Sequence, residues 1–172
     1  MNVQVVEPRA DILVESTRSI GYTFESALAD IIDNSIGNGA THIDVRFSSI
    51  IPRYIAIIDD GCGMTPDELI IAMRYGSKNV NDQRAESDLG RFGLGLKTAS
   101  LSQCRKLTVI SKKNNVISAA SWDLDFIIAQ QGWSLKVYDH EEMVNQYNKA
   151  IPGILDELNR YESGTIVIWG DF

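Results

Sequence analysis

Four short constellations in this sequence carry residue types that can do chemistry. Asp30 and Asn34 stand four apart with Asp33 between them, which on a helix puts a carboxylate and an amide one turn apart on one face. Asp59-x-Gly61-x-Gly63-Met64 ends an apolar run, so a carboxylate at a strand end is followed by two glycines that allow a tight turn. Gly90, Gly93 and Gly95 sit at G-x-x-G-x-G spacing, with Leu94, Leu96 and Lys97 among and after them. Gly164-Thr165 opens a β-branched run near the end of the chain.

The glycine loop suggests the clearest chemistry. Bare backbone N–H groups can approach a ligand there, and a helix starting directly after them adds the positive end of its dipole. That is the physical description of a phosphate cradle, although on its own such a loop reads more readily as a tight connection before a helix. It is spelled neither as the dinucleotide fingerprint, which follows an apolar strand, nor as a Walker loop. On spacing alone each constellation also has a plainer reading. Asp59 can cap the next turn, Asn34 can be a solvated helix residue, Lys97 a surface lysine, and Thr165 an ordinary strand threonine. Cys62 reads as a space-filler. Asp33-Asn34 is a poor pair for a helix interior, so something besides helix stability keeps it there.

The elements that must position these residues can be read from period and punctuation. Thr23 is an N-cap, and Phe24, Ala27, Leu28, Ile31, Ile32 and Ile36 form a helical stripe stopped by Gly37 and Gly39. Thr41 to Phe47 alternates as a half-buried strand, and Tyr54 to Ile58 is apolar on both faces, as an inner strand is. Thr65-Pro66-Asp67-Glu68 is a capping box that opens a helix to about Tyr75. Ser77 to Leu89 is polar and without period, a long loop of the kind that serves as an active-site lid. A helix to about Gln103 follows, then strands at Lys106 to Lys112 and Val116 to Trp122 joined at Asn114-Asn115, and a strand at Trp133 to Tyr138. Glu141 to Ala150 and Gly153 to Tyr161 read as helices, Gly164 to Trp169 as a strand, and a short helix fits Ala10 to Ser19. Hairpins with helices between them indicate an α+β layer rather than a doubly wound sheet.

The chain has 172 residues, one domain's worth, with 44% apolar residues and a net charge of −7. That charge argues against a general basic surface for nucleic acid. Two cysteines without a C-x-x-C pair indicate neither zinc nor a disulfide framework. With no transmembrane-length run and no signal-peptide core, the expectation is a cytoplasmic protein without a membrane partner.

Taken together and in order, these segments resemble the GHKL ATPase superfamily of gyrase, the heat-shock chaperones, histidine kinases, MutL and MORC, over about residues 20 to 170. Ala27 to Val45 looks most like MutL and MORC, and Gly93 to Lys97 with Ser163 to Trp169 leans towards MORC. The resemblance implies the two-layer α/β sandwich of that family, the Bergerat fold: a mixed, mostly antiparallel sheet with helices on one face and ATP between the layers. It implies that Asn34 coordinates Mg²⁺. The same resemblance implies that Asp59 accepts from the adenine amino group, with Gly61, Gly63 and Met64 beside the base and Thr165 supporting Asp59. It also implies that Gly90, Gly93, Leu94, Gly95 and Leu96 hold the phosphates, with Lys97 as an added charge.

One departure stands out. Hydrolytic members carry a glutamate one turn before the metal asparagine to activate water, and here that position is Asp30. A carboxylate keeps the chemistry, but its reach is shorter by one methylene, and a misplacement of about 1 Å can cost on the order of a hundredfold. The resemblance implies slow hydrolysis of ATP to ADP and phosphate, a C-terminal transducer domain beyond Phe172, an ATP-driven homodimer, and nucleic acid handled only by a longer protein. A switch without hydrolysis and a histidine-kinase type of phosphotransfer are the alternatives.

Overall fold

The computed structural model describes residues 2–4, 8–19, 21–76 and 95–172. The expected lid, and with it Gly90, Gly93 and Leu94, lies outside the described residues. Six strands form one sheet: β1 (Ile43–Ser48), β2 (Tyr54–Asp59), β3 (Lys106–Lys113), β4 (Val116–Asp123), β5 (Lys136–Tyr138) and β6 (Gly164–Gly170). Their order is β1-β2-β6-β3-β4-β5, and every neighbouring pair is antiparallel. The last strand of the chain is thus inserted between β2 and β3. That insertion brings Thr165 beside Asp59 although they are far apart in sequence.

β6 is apolar on both faces, and the sheet is covered on both. Ile57, Val109, Val167 and Trp169 face a core built with α1 (Ala10–Arg18), α2 (Phe24–Gly37), α3 (Pro66–Met73), α4 (Gly95–Gln103) and α5 (Leu124–Gln130). Ala56, Ile58, Ile110, Ile166 and Ile168 face the other way, under α6 (His140–Ala150) and α7 (Ile154–Asn159). The α+β class and the antiparallel sheet are as expected, but helices lie on both faces rather than one. The reason is physical: a bare face of Ile58, Ile166 and Ile168 would leave each side chain's burial, worth about 2 kcal/mol, unrealised.

The local signals act as their chemistry dictates. Thr65 and Glu68 form the reciprocal capping box of α3, with proline in its first turn. Asn114 and Asn115 both take positive φ, 52° and 60°, as a tight two-residue hairpin demands. Two elements differ from expectation. The strand expected from Trp133 shortens to Lys136–Tyr138, and α5 occupies a stretch expected to be a connection, started by Asp123 accepting from the Phe126 amide. No helix among the described residues is long and apolar enough to cross a membrane.

Candidate nucleotide site

Period two in the strands, combined with the register, builds the site. Asp59, Thr165 and Ser111 are cross-strand partners in one row across β2, β6 and β3. They share a face with Ile57, Val167 and Val109, which begin the apolar core below them. The row is therefore the polar end of an otherwise apolar face. Strand alternation makes this legible: each polar residue stands two places from a buried hydrophobe of its own strand.

Asp59 is 5% exposed, and both its oxygens are held. Oδ2 accepts from the Ser35 hydroxyl at 2.8 Å, and Oδ1 from the Gly61 amide at 3.0 Å. Burial raises its pKa, while the Ser35 hydroxyl and the backbone of Gly61 and Thr165 pull it down. Its neighbour Asp60 behaves oppositely. Donation from the His42 amide, the Thr41 hydroxyl and the Thr41 amide holds it at about 2. Asp60 closes the turn between α2 and β1, and that leaves Asp59 as the carboxylate turned into the polar row.

The glycines are placed by close approach. Gly63 takes φ +60°, and a Cβ there would lie 2.0 Å from the Lys112 carbonyl oxygen. A Cβ on Gly164 would lie 2.2 Å from the Asp59 carbonyl oxygen. At Gly61 it would meet the Asp59 carboxylate at 3.0 Å. Next to them the Met64 amide donates to Ser111 Oγ at 2.8 Å, and Ser111 Oγ also lies 3.0 Å from both the Gly164 oxygen and Thr165 Oγ1. Ser163 donates to the Gly61 oxygen at 2.7 Å. The turn after β2 is thus clamped to β3 and to the start of β6.

The long helix α2 carries the other end of the site. It starts at Thr23, which accepts from the Ser26 amide. Ser35 faces Asp59, while Asn34, one residue earlier, is half-buried and its side-chain amide has no hydrogen-bond partner among the described residues. Asp30, one turn before, is half-buried, and its Oδ2 accepts from the Tyr22 hydroxyl at 2.9 Å. That bond is the first cause of a raised Tyr22 pKa, so the phenol stays a donor at neutral pH. Asp33 is exposed. Gly95 opens α4, and Leu96 packs on the core. Lys97 is only 1% exposed, with Nζ donating to the Ala72 oxygen at 2.7 Å, so it ties α4 to α3 instead of standing on the surface. Cys62 is no space-filler; its thiol is exposed, 3.8 Å from Asn38 Oδ1.

Sequence reasoning missed Ser35, Ser111 and Tyr22. Ser111 had a signal, a serine at the buried parity of an apolar strand. Ser35 and Tyr22 had none, since their partners Asp59 and Asp30 are defined only by packing.

The arrangement joins a buried acceptor carboxylate, held by Ser35 of α2, to an amide at Asn34 that is unpartnered among the described residues and to a second carboxylate one turn earlier at Asp30. Residues 22–165 match the histidine kinase-, DNA gyrase B- and HSP90-like ATPase family. The chain belongs to that family. Membership makes it an ATP-binding domain, and it is similar in sequence to two kinds of protein. The DNA mismatch repair protein MutL of Rhizorhabdus wittichii is 33% identical over 130 residues, 74% of this chain and 19% of that protein. ATPase morc-1 of Caenorhabditis elegans is 30% identical over 95 residues, 55% of this chain and 11% of that protein. ATPase MORC2B of mouse is 31% identical over 96 residues, 54% of the chain and 9% of that protein. The chain thus spans less than a fifth of each of these relatives.

Proposed function

We propose that this chain is the Mg²⁺-ATP-binding domain of a longer protein, that it hydrolyses ATP slowly to ADP and phosphate through Asp30, and that nucleotide occupancy switches the larger protein's conformation and self-association. The observation that carries the reading is the buried Asp59 carboxylate, held by Ser35 from the same helix that carries Asp30 and Asn34. A buried acceptor facing a donor-bearing base edge recognises adenine, whose exocyclic group donates where guanine's accepts. Gly61, Gly63 and Met64, in the turn after β2, are the residues expected beside the base. Gly95 and Leu96, at the start of α4, with Gly90, Gly93, Leu94 and Lys97 as further members, form the phosphate end.

The residues present fit magnesium. Among the described residues no three His, Cys, Asp or Glu converge as a metal cage, and Asn34 offers one unpartnered amide oxygen. Magnesium takes few protein ligands where phosphates and water supply the others, so Asn34 would hold it. When bound, the ion neutralises phosphate charge. Asp30 supplies the general base: Oδ1 has no protein donor among the described residues and can accept a proton from water. The downstream transducer domain, the homodimer and any handling of nucleic acid belong to the longer protein.

Phosphate release by the full-length protein tests the reading. Asp30→Ala is expected to lower kcat roughly a hundredfold, the usual share of a general base, with ATP affinity little changed. Equal release by variant and wild type would remove Asp30 from the chemistry; release by neither would leave the non-hydrolysing switch, which the short reach of aspartate favours. The homodimer is read separately by sedimentation with and without nucleotide.

A further inference from the structure

Tyr22 lies one residue before the N-cap of α2 and is tied at both ends. Its hydroxyl donates to Asp30 Oδ2 at 2.9 Å. Its carbonyl oxygen accepts from Gln103 Nε2, at the end of α4, at 3.1 Å. Its half-buried ring packs on the core beneath. The residue is therefore a strut between two helices, its side chain on the helix that carries Asp30 and Asn34 and its backbone carbonyl on the helix that opens at Gly95. Resting on the reading above, we infer that Tyr22 is a positioning residue for hydrolysis: it fixes the Asp30 carboxylate so that Oδ1 faces the attacking water.

The need for such a strut follows from the length of aspartate. A free aspartate on an exposed helix face samples several rotamers, and with one methylene fewer than glutamate it has less slack to reach a displaced water. A single donor on Oδ2 selects one orientation and leaves Oδ1 open. The phenol has one hydrogen, so it binds one oxygen and cannot close off the other. Removing the hydroxyl while keeping the ring should leave the helix in place and free only the carboxylate.

The test uses Tyr22→Phe in the full-length protein. Phosphate release should fall about tenfold in kcat, the cost of a fraction of an ångström of misplacement, with KM for ATP, nucleotide affinity and the melting midpoint unchanged. In an Asp30→Ala background, where residual turnover is read with radiolabelled ATP, adding Tyr22→Phe should change nothing more. An unchanged or increased kcat in the single variant overturns the inference. So does an equal loss in both backgrounds, or a loss confined to KM and melting midpoint, which would make Tyr22 a packing residue only. Asp30→Ala alone reports on the underlying reading: if it hydrolyses like wild type, hydrolysis through Asp30 fails; if it is slow while Tyr22→Phe is not, only the strut fails.

Discussion

Asp59→Asn should abolish useful nucleotide binding while the chain stays folded. The substitution is nearly isosteric: with the amide oxygen in the Oδ1 place the Gly61 amide keeps its acceptor, and the Ser35 hydroxyl, which also reaches the Ile31 oxygen, can accept from the new NH₂. What changes is the edge offered to the base. An NH₂ group replaces an acceptor oxygen, so two donors face each other in a buried site. Losing a charge-assisted bond and leaving a buried donor unpaired costs about 2 to 4 kcal/mol, which is roughly thirty- to a thousandfold in Kd. Calorimetric titration with ATP, alongside a circular dichroism melt, checks it. The sign of the pH dependence follows from the same residue. Burial raises the Asp59 pKa, and the carboxylate is the acceptor, so affinity for adenosine, which lacks titrating phosphates, should weaken as pH falls, starting above the ordinary carboxylate range. An Asp59→Asn chain that binds as tightly as wild type would show that the base is read elsewhere.

The second large effect is on folding. Gly63→Ala puts a Cβ 2.0 Å from the Lys112 carbonyl oxygen, in a residue held at φ +60°. The clashing atom belongs to the backbone of a central hairpin and cannot turn away as a flexible side chain would. A positive-φ alanine alone is strained, and moving β3 would also pull Ser111 off the Met64 amide. The expected loss is about 4 kcal/mol or more, a fall of roughly 10 °C or more in melting midpoint for a domain of this size. Gly170 is the control, because a Cβ there meets nothing within 4 Å. Gly170→Ala should melt with wild type. If Gly63→Ala also did, the close packing of the turn on β3 would be wrong.

Much of the fold was legible because its signals are local. The stripe from Phe24 to Ile36, the capping box at Thr65, the Asn114-Asn115 turn and the β-branched run at Gly164 each depend on neighbours a few residues away. The position of β6 between β2 and β3 is different. Nothing in Gly164 to Gly170 says which strands it will pair with, beyond its being apolar on both faces and hence central. The two-sided cover follows from that same double apolarity, yet α6 and α7 show no mark of which face they take. In the site, Asp59, Asn34 and Asp30 stood out through the order of the motifs, which resembles that of a known family, since on spacing alone each had a plainer reading. The residues that hold them did not: a serine hydroxyl or a tyrosine tip acquires its role from a partner that only tertiary packing supplies. Lys97 shows the converse, a lysine whose plainer reading was a surface residue and which is buried, with Nζ donating to the Ala72 carbonyl.

The proposed purine site is the polar row of Asp59, Thr165 and Ser111 with the turn through Gly61, Gly63 and Met64. Amide chemical shifts of the isotopically labelled chain, titrated with ATP and then with adenosine, test it most directly. Both ligands are expected to move the amides of Ser35, Gly61, Gly63, Met64 and Thr165, and ATP alone, in Mg²⁺, to move those of Asn34 and Gly95. No shift at millimolar nucleotide, or shifts gathered on another part of the sheet, would contradict it.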